Sequence, residues 1–181
     1  MLILASASPR RHELLLAGGI EHIVRPSHVP EDMLPGEDPI AFVRRISQQK
    51  ADAIYFDPAD TVLAADTVVC LENVVFGKPR DDSDAKRMLR ALAGRDHWVH
   101  TGICIRTSVR TVNDVASTKV AFSPLTELEI AEYTRSGEPR DKAGAYAIQG
   151  LASKFVLGIE GCYHNVVGLP VSLVYRHLNN L

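Results

Sequence analysis

The chain has 181 residues, 46% hydrophobic and 23% charged, with Lys+Arg 20 against Asp+Glu 22 for a net charge of -2. That apolar content is enough to bury a core, which excludes a disordered chain, and the balanced charge excludes a protein that coats nucleic acid. No run approaches the roughly 20 apolar residues that span a bilayer, so the sequence predicts a soluble, single domain over residues 1–181 with neither nucleic acid nor membrane as a partner.

Leu2-Ile3-Leu4-Ala5 is a continuous apolar run and predicts a strand buried on both faces. Ser8-Pro9 then reads as N-cap and first helical position, and Gly18-Gly19 ends the helix. Arg10 and Arg11 put two cations into its first turn, where the helix dipole already favours negative charge. A strand, a tight turn and a helix with cations at its start form a unit that commonly binds anions. Ala5-Ser6-Ala7 has the look of a signal-peptide cleavage site, but the apolar run before it is short and no basic residue precedes it.

Asp38-Pro39 announces a second helix with an apolar stripe of Ile40, Val43, Ile46, Ser47 and Ile54. The spacing puts Lys50 on or beside the inward face. Residues 61–70 read as an apolar strand interrupted by Asp66-Thr67. A third helix is expected over about 83–94, then two strands over 97–106 and 110–122 that form a hairpin. Thr126 and Glu129 fit a capping box, and that helix ends at Gly137. A long loop over 137–150 precedes a strand around Phe155 and a last helix started by Pro170. Alternating elements with one hairpin indicate an α/β domain with a mixed sheet.

Three scattered cysteines, Cys70, Cys104 and Cys162, form no C-x-x-C pair, which points to reduced thiols in a cytoplasmic protein. Asp66 stands out, because a carboxylate within an apolar strand is costly if buried alone. It is expected at a strand end, with a metal or a lysine keeping it charged; the alternative is an Asx-turn residue. Gly77-Lys78-Pro79 lacks the upstream glycine and the Ser/Thr of a P-loop, so Lys78 would act only as a point charge. The loop over 137–150 is long enough to be functional. Gln149 offers one acceptor and one donor, which match the N3–H and O4 edge of uracil or thymine; it could equally tie the loop to its own backbone. His97 and His100 would face opposite sides of a strand and make no metal pair. No G-x-S-x-G elbow supports a serine hydrolase.

In order along essentially the whole chain, Ser6-Ala-Ser8-Pro-Arg10-Arg11, Ala65-Asp66-Thr67, Gly77-Lys78-Pro79 and the segment over 137–150 resemble the Maf family of nucleoside triphosphate pyrophosphatases. Ser117-Thr118, Gly161 and the segment over 165–170 agree as well. The resemblance implies an elongated mixed β-sheet flanked by helices, as in the inosine triphosphate pyrophosphatase-like (Maf/Ham1) fold, with a cleft between two lobes. It implies hydrolysis of a nucleoside triphosphate substrate to the monophosphate and pyrophosphate with a divalent metal cation, Mg or Mn. Asp66 corresponds to the proton acceptor, Lys78 and Lys50 to catalytic triphosphate contacts, and Ser6, Ser8, Arg10 and Arg11 to the phosphate-binding motif. Glu31 and Asp66 correspond to the metal ligands, although Pro30 stands where the family usually has a second acidic residue. Arg10, Thr67 and Gln149 match the positions that select dTTP and UTP. The resemblance also implies a homodimer. The alternatives are a nucleotide-responsive regulator of septum formation and a purine pyrophosphatase of the inosine triphosphate type.

Overall fold

The computed structural model describes residues 1–54 and 56–181. Among the described residues seven strands form one sheet, β1 (Leu2–Leu4), β2 (Ile23–Val24), β3 (Thr61–Leu71), β4 (Val74–Phe76), β5 (Asp96–Arg106), β6 (Thr111–Phe122) and β7 (Val156–Glu160). Their order is β2-β1-β3-β5-β6-β7, with β4 paired to β3. β1 runs parallel to β2 and β3, whereas β3–β4 and β6–β7 are antiparallel, so the expected mixed sheet is borne out. The helices are α1 (Pro9–Ala17), α2 (Pro39–Asp52), α3 (Asp82–Leu92), α4 (Glu127–Arg135), α5 (Tyr163–Val167) and α6 (Val171–Leu178). Among the described residues no helix is long and apolar enough to cross a membrane.

The chain divides into two compact units. The first holds Met1–Thr67, Thr101–Ala116 and Gly168–Leu181, and the second holds Val68–His100 and Ser117–Val167. In the first unit the two faces of the sheet are read directly from strand alternation. Val62 and Ala64 pack with Ile3, Ala5, Ala51, Ile54 and Cys104. Leu63 and Ala65 pack with Leu4, Leu15, Ile103, Ile105, Leu169 and Val174. Thus α2 covers one face of the sheet, and α1 with α6 covers the other.

Asp38 caps α2 as expected, its carboxylate accepting from the Ile40 and Ala41 amides at 2.9 and 3.1 Å. One stripe position differs from expectation: Ile40 is exposed and Phe42 is buried in its place. Ile40 falls in the first turn beyond the sheet-facing arc, while Phe42, Val43 and Ile46 share that arc. α2 also leans closely on β5, since a Cβ at Gly102 would collide with the Val43 backbone.

In the second unit β3 turns into β4 through Glu72 and Asn73, both at positive φ (50° and 67°), as a two-residue hairpin of right-handed twist requires. The core there includes Val69, Phe76, Leu89, Leu92, Phe122, Ile130, Tyr146 and Phe155. The capping box forms in full, with Glu129 N–H donating to Thr126 Oγ1 and the Glu129 carboxylate accepting from the Thr126 amide. The segment over 137–150 folds into two short 3-10 turns, Glu138–Asp141 and Ala143–Ala145, followed by a further turn at 148–150.

Candidate active site

β3 is continuous across Asp66 and Thr67, which corrects the expectation of an interrupted strand with Asp66 at its end. The cost that argued for an interruption is met by a partner. Lys50, buried on α2, donates to Asp66 Oδ1 at 2.7 Å, and both side chains are less than a tenth exposed. The same ammonium lies 2.7 Å from Glu31 Oε1, whose side chain is half exposed. Helical spacing carries Lys50 inward beside Ala51 and Ile46, so one buried cation serves two carboxylates.

Thr67, the next residue of β3, faces the side covered by α1 and α6. Arg11 reaches it from the first turn of α1: Nη2 donates to Thr67 Oγ1 at 3.1 Å, Nη1 to Ser6 Oγ at 3.0 Å and Nε to the Gly168 carbonyl at 2.9 Å. Burial pushes the Arg11 guanidinium below its ordinary value, while the Asp66 and Glu31 carboxylates hold it up and Arg10 works against them. Three of its five N–H groups are therefore committed inside the chain. Ser6 Oγ also accepts from the Ser8 amide at 3.2 Å, and Ser8 itself makes no side-chain cap to α1. Thr67 Oγ1 further contacts Thr101 Oγ1 at 2.9 Å and the Gly168 carbonyl at 3.3 Å. The structure thus brings Ser6, Ser8, Arg11, Glu31, Lys50, Asp66 and Thr67 together around the ends of β1 and the middle of β3.

A family model described as Maf-like protein matches residues 1–181. The chain belongs to the Maf-like family.

Relatives within this family are close over most of their length. A dTTP/UTP pyrophosphatase of Anaeromyxobacter sp. (strain Fw109-5) is 51% identical over 176 residues, covering 94% of this chain and 84% of that protein. A dTTP/UTP pyrophosphatase of Koribacter versatilis is 48% identical, covering 97% and 91%. One of Syntrophomonas wolfei is 47% identical, covering 97% and 94%. Among solved structures, the Staphylococcus aureus Ham1 protein superposes with a TM-score of 0.55 at 13% identity, covering 99% of this chain and 98% of that one, a likeness of fold.

The donor set of this Maf-like chain suits a hard divalent cation. Among the described residues no three His, Cys, Asp or Glu side chains gather as a closed cage. Glu31 and Asp66 instead offer two carboxylates to one point, now held by an ammonium. An ion such as Mg²⁺ commonly uses one or two carboxylates and fills its remaining positions with water and phosphate oxygens. The residues fit.

The remaining candidates lie in the second unit. Lys78 is exposed on the segment after β4, whose neighbour Gly77 accepts from the Gly144 amide at 3.1 Å. Gly144 needs its positive φ of 69° and its bare Cα, because a Cβ would meet Val69 Cγ2 at 2.7 Å. Gln149 is exposed in the turn before Gly150. That turn is clamped by Glu138, which accepts from Tyr133 Oη at 2.8 Å and from the Leu151 amide at 3.1 Å. Thr101 carries no motif, and Gly168 stands in the sequence only as part of the 165–170 segment. The available signal for Thr101 was a polar pair, His100-Thr101, just before the run Gly102–Ile105.

Proposed function

We propose that this chain hydrolyses dTTP and UTP to the nucleoside monophosphate and pyrophosphate. The observation that carries the reading is the buried Lys50–Asp66 pair shared with Glu31, in a chain about half identical to proteins named dTTP/UTP pyrophosphatase.

Asp66 is the general base. Its carboxylate is held in one orientation by Lys50, so it orients and deprotonates a water for attack on the phosphoryl group. Ser6 supports phosphate binding: both of its lone pairs accept from within the chain, and its O–H remains to donate to a phosphate oxygen. By resemblance, Ser8, Arg10 and the remaining N–H groups of Arg11 are assigned to the phosphate tail, at a helix start where the dipole favours an anion. By resemblance, Lys50 and Lys78 are assigned to the charge that gathers on the departing pyrophosphate. Glu31 and Asp66 would hold a divalent cation, Mg²⁺ or Mn²⁺, which supplies charge neutralisation at the phosphate oxygens. By the same resemblance, Gln149, Arg10 and Thr67 are assigned to selection of the pyrimidine base. Burial pushes the Cys104 thiol up to about 12, which keeps it unreactive and suits a reducing cytoplasm.

The test is Asp66→Asn. Pyrophosphate release from UTP should fall by about 10²-fold or more, while calorimetry shows UTP still binding. Full turnover by the variant would remove Asp66 from the role.

A further inference from the structure

The assignment of Thr67 to base selection meets an obstacle in the valence of its hydroxyl. Oγ1 carries one proton and two lone pairs. One lone pair accepts from Arg11 Nη2 at 3.1 Å. The contact with Thr101 Oγ1 at 2.9 Å has a donor at one end or the other. If Thr67 donates there, its only proton is spent on Thr101. If Thr101 donates, the second lone pair is filled and the Thr67 proton is directed to the Gly168 carbonyl at 3.3 Å. Either way the proton stays inside the chain, and the second arrangement satisfies all three contacts at once.

Thr101 is fully buried on β5, the neighbour of β3 in the sheet, and lies on the α1/α6 face with Ile103 and Ile105. It has no route to a nucleotide. Its hydroxyl is nevertheless one covalent step and one hydrogen bond from two elements of the site: Thr67 is bonded to Asp66 along β3, and it braces Arg11, whose other donors hold Ser6 and Gly168. We propose that Thr101 is a positioning residue for the pyrophosphatase reaction and that the Thr67 hydroxyl acts with it, as a brace between β3 and the Arg11 guanidinium. The inference rests on the function proposed above. It gives the Thr67 hydroxyl a task in setting Asp66 and Arg11.

Thr101→Val keeps shape and removes the hydroxyl; Thr101→Ser restores it. Steady-state kinetics with UTP and CTP should show kcat for Thr101→Val reduced about tenfold with KM for UTP changed less than twofold, since a small misplacement of a catalytic group falls on the chemical step. Thr101→Ser should recover most of the loss. Thr67→Val should lower kcat by a similar factor with the UTP-to-CTP ratio of kcat/KM unchanged, and the double valine variant should lose little more than either single one. A second readout needs no turnover: the Arg11 Nε–H resonance, protected by Gly168, should lose its protection in Thr101→Val and regain it in Thr101→Ser. Wild-type protein inert toward UTP would sink the proposed function and leave the resonance to judge the brace. A Thr67→Val variant that abolishes the UTP preference through KM, or a Thr101→Val variant with unaltered kcat and resonance, would overturn the positioning role.

Discussion

Lys50 gives two carboxylates one counter-ion, so the trio carries a residual charge of minus one in a largely buried place. Breaking a buried pair from one side is costly, because the partner left behind is a desolvated charge. Lys50→Met should therefore lower unfolding free energy by about 3 kcal/mol in urea denaturation. Asp66→Asn added to Lys50→Met should return part of that loss, because the stranded charge is then gone. Additive losses in the double variant would mean that the two side chains do not act as a unit. The inward placement of Lys50 was legible from helical spacing, and the demand of Asp66 for a partner from its apolar neighbours. That the two meet each other, with Glu31 on the same ammonium, is a tertiary fact that no local pattern encodes.

At the scale of elements, most of the chain was written in caps and alternation. Asp38, Thr126 and Pro170 start helices where they should. β3 itself was misjudged at Asp66-Thr67, since local polarity cannot tell a break from a buried ion pair. β2 and β4 were missed because two- and three-residue strands leave too short a pattern. The Tyr146 segment illustrates the same limit: Tyr146 Oη lies 2.8 Å from Nε2 of His97 on β5, and Phe122 packs edge-on against both rings. Burial pushes the His97 imidazole down to about 4 from an ordinary 6.5. Below pH 6.5 the unfolded chain takes up this proton while the folded chain refuses it until about pH 4. Stability should consequently fall by about 3 kcal/mol as pH drops through that window and stay level above it. Urea melts of His97→Gln should show a shallower fall between pH 6.5 and 4 than the parent; equal slopes would clear His97 of the effect.

At the scale of the whole molecule, a net charge of -2 gives no general attraction for a polyphosphate. Affinity has to come from local placement of cations, and the fold is a scaffold for that placement. The Ham1 protein keeps the scaffold at 13% identity, so fold alone says little about substrate. Because Lys50 already neutralises much of the carboxylate charge, folding should not depend on a divalent ion. Exhaustive chelation should abolish pyrophosphate release yet leave the melting temperature within about 2 °C of the untreated protein, and a larger drop would show an ion bound as part of the fold.

Gly102 has no chemistry of its own, yet it sets a clearance. Its missing side chain lets the backbone of α2 at Val43 rest on β5, and a methyl group there would meet the Val43 carbonyl carbon at 2.5 Å and the Arg44 nitrogen at 2.9 Å. Two helical turns further along the same rigid rod sits Lys50. Gly102→Ala should lever the rod outward, costing about 2 kcal/mol of stability and loosening the grip of ammonium on carboxylate, so turnover should drop at a position that no ligand touches. Undiminished turnover in that variant would mean the rod bends near Val43 and leaves its far end in place; a spacer of one hydrogen atom would then matter to packing alone.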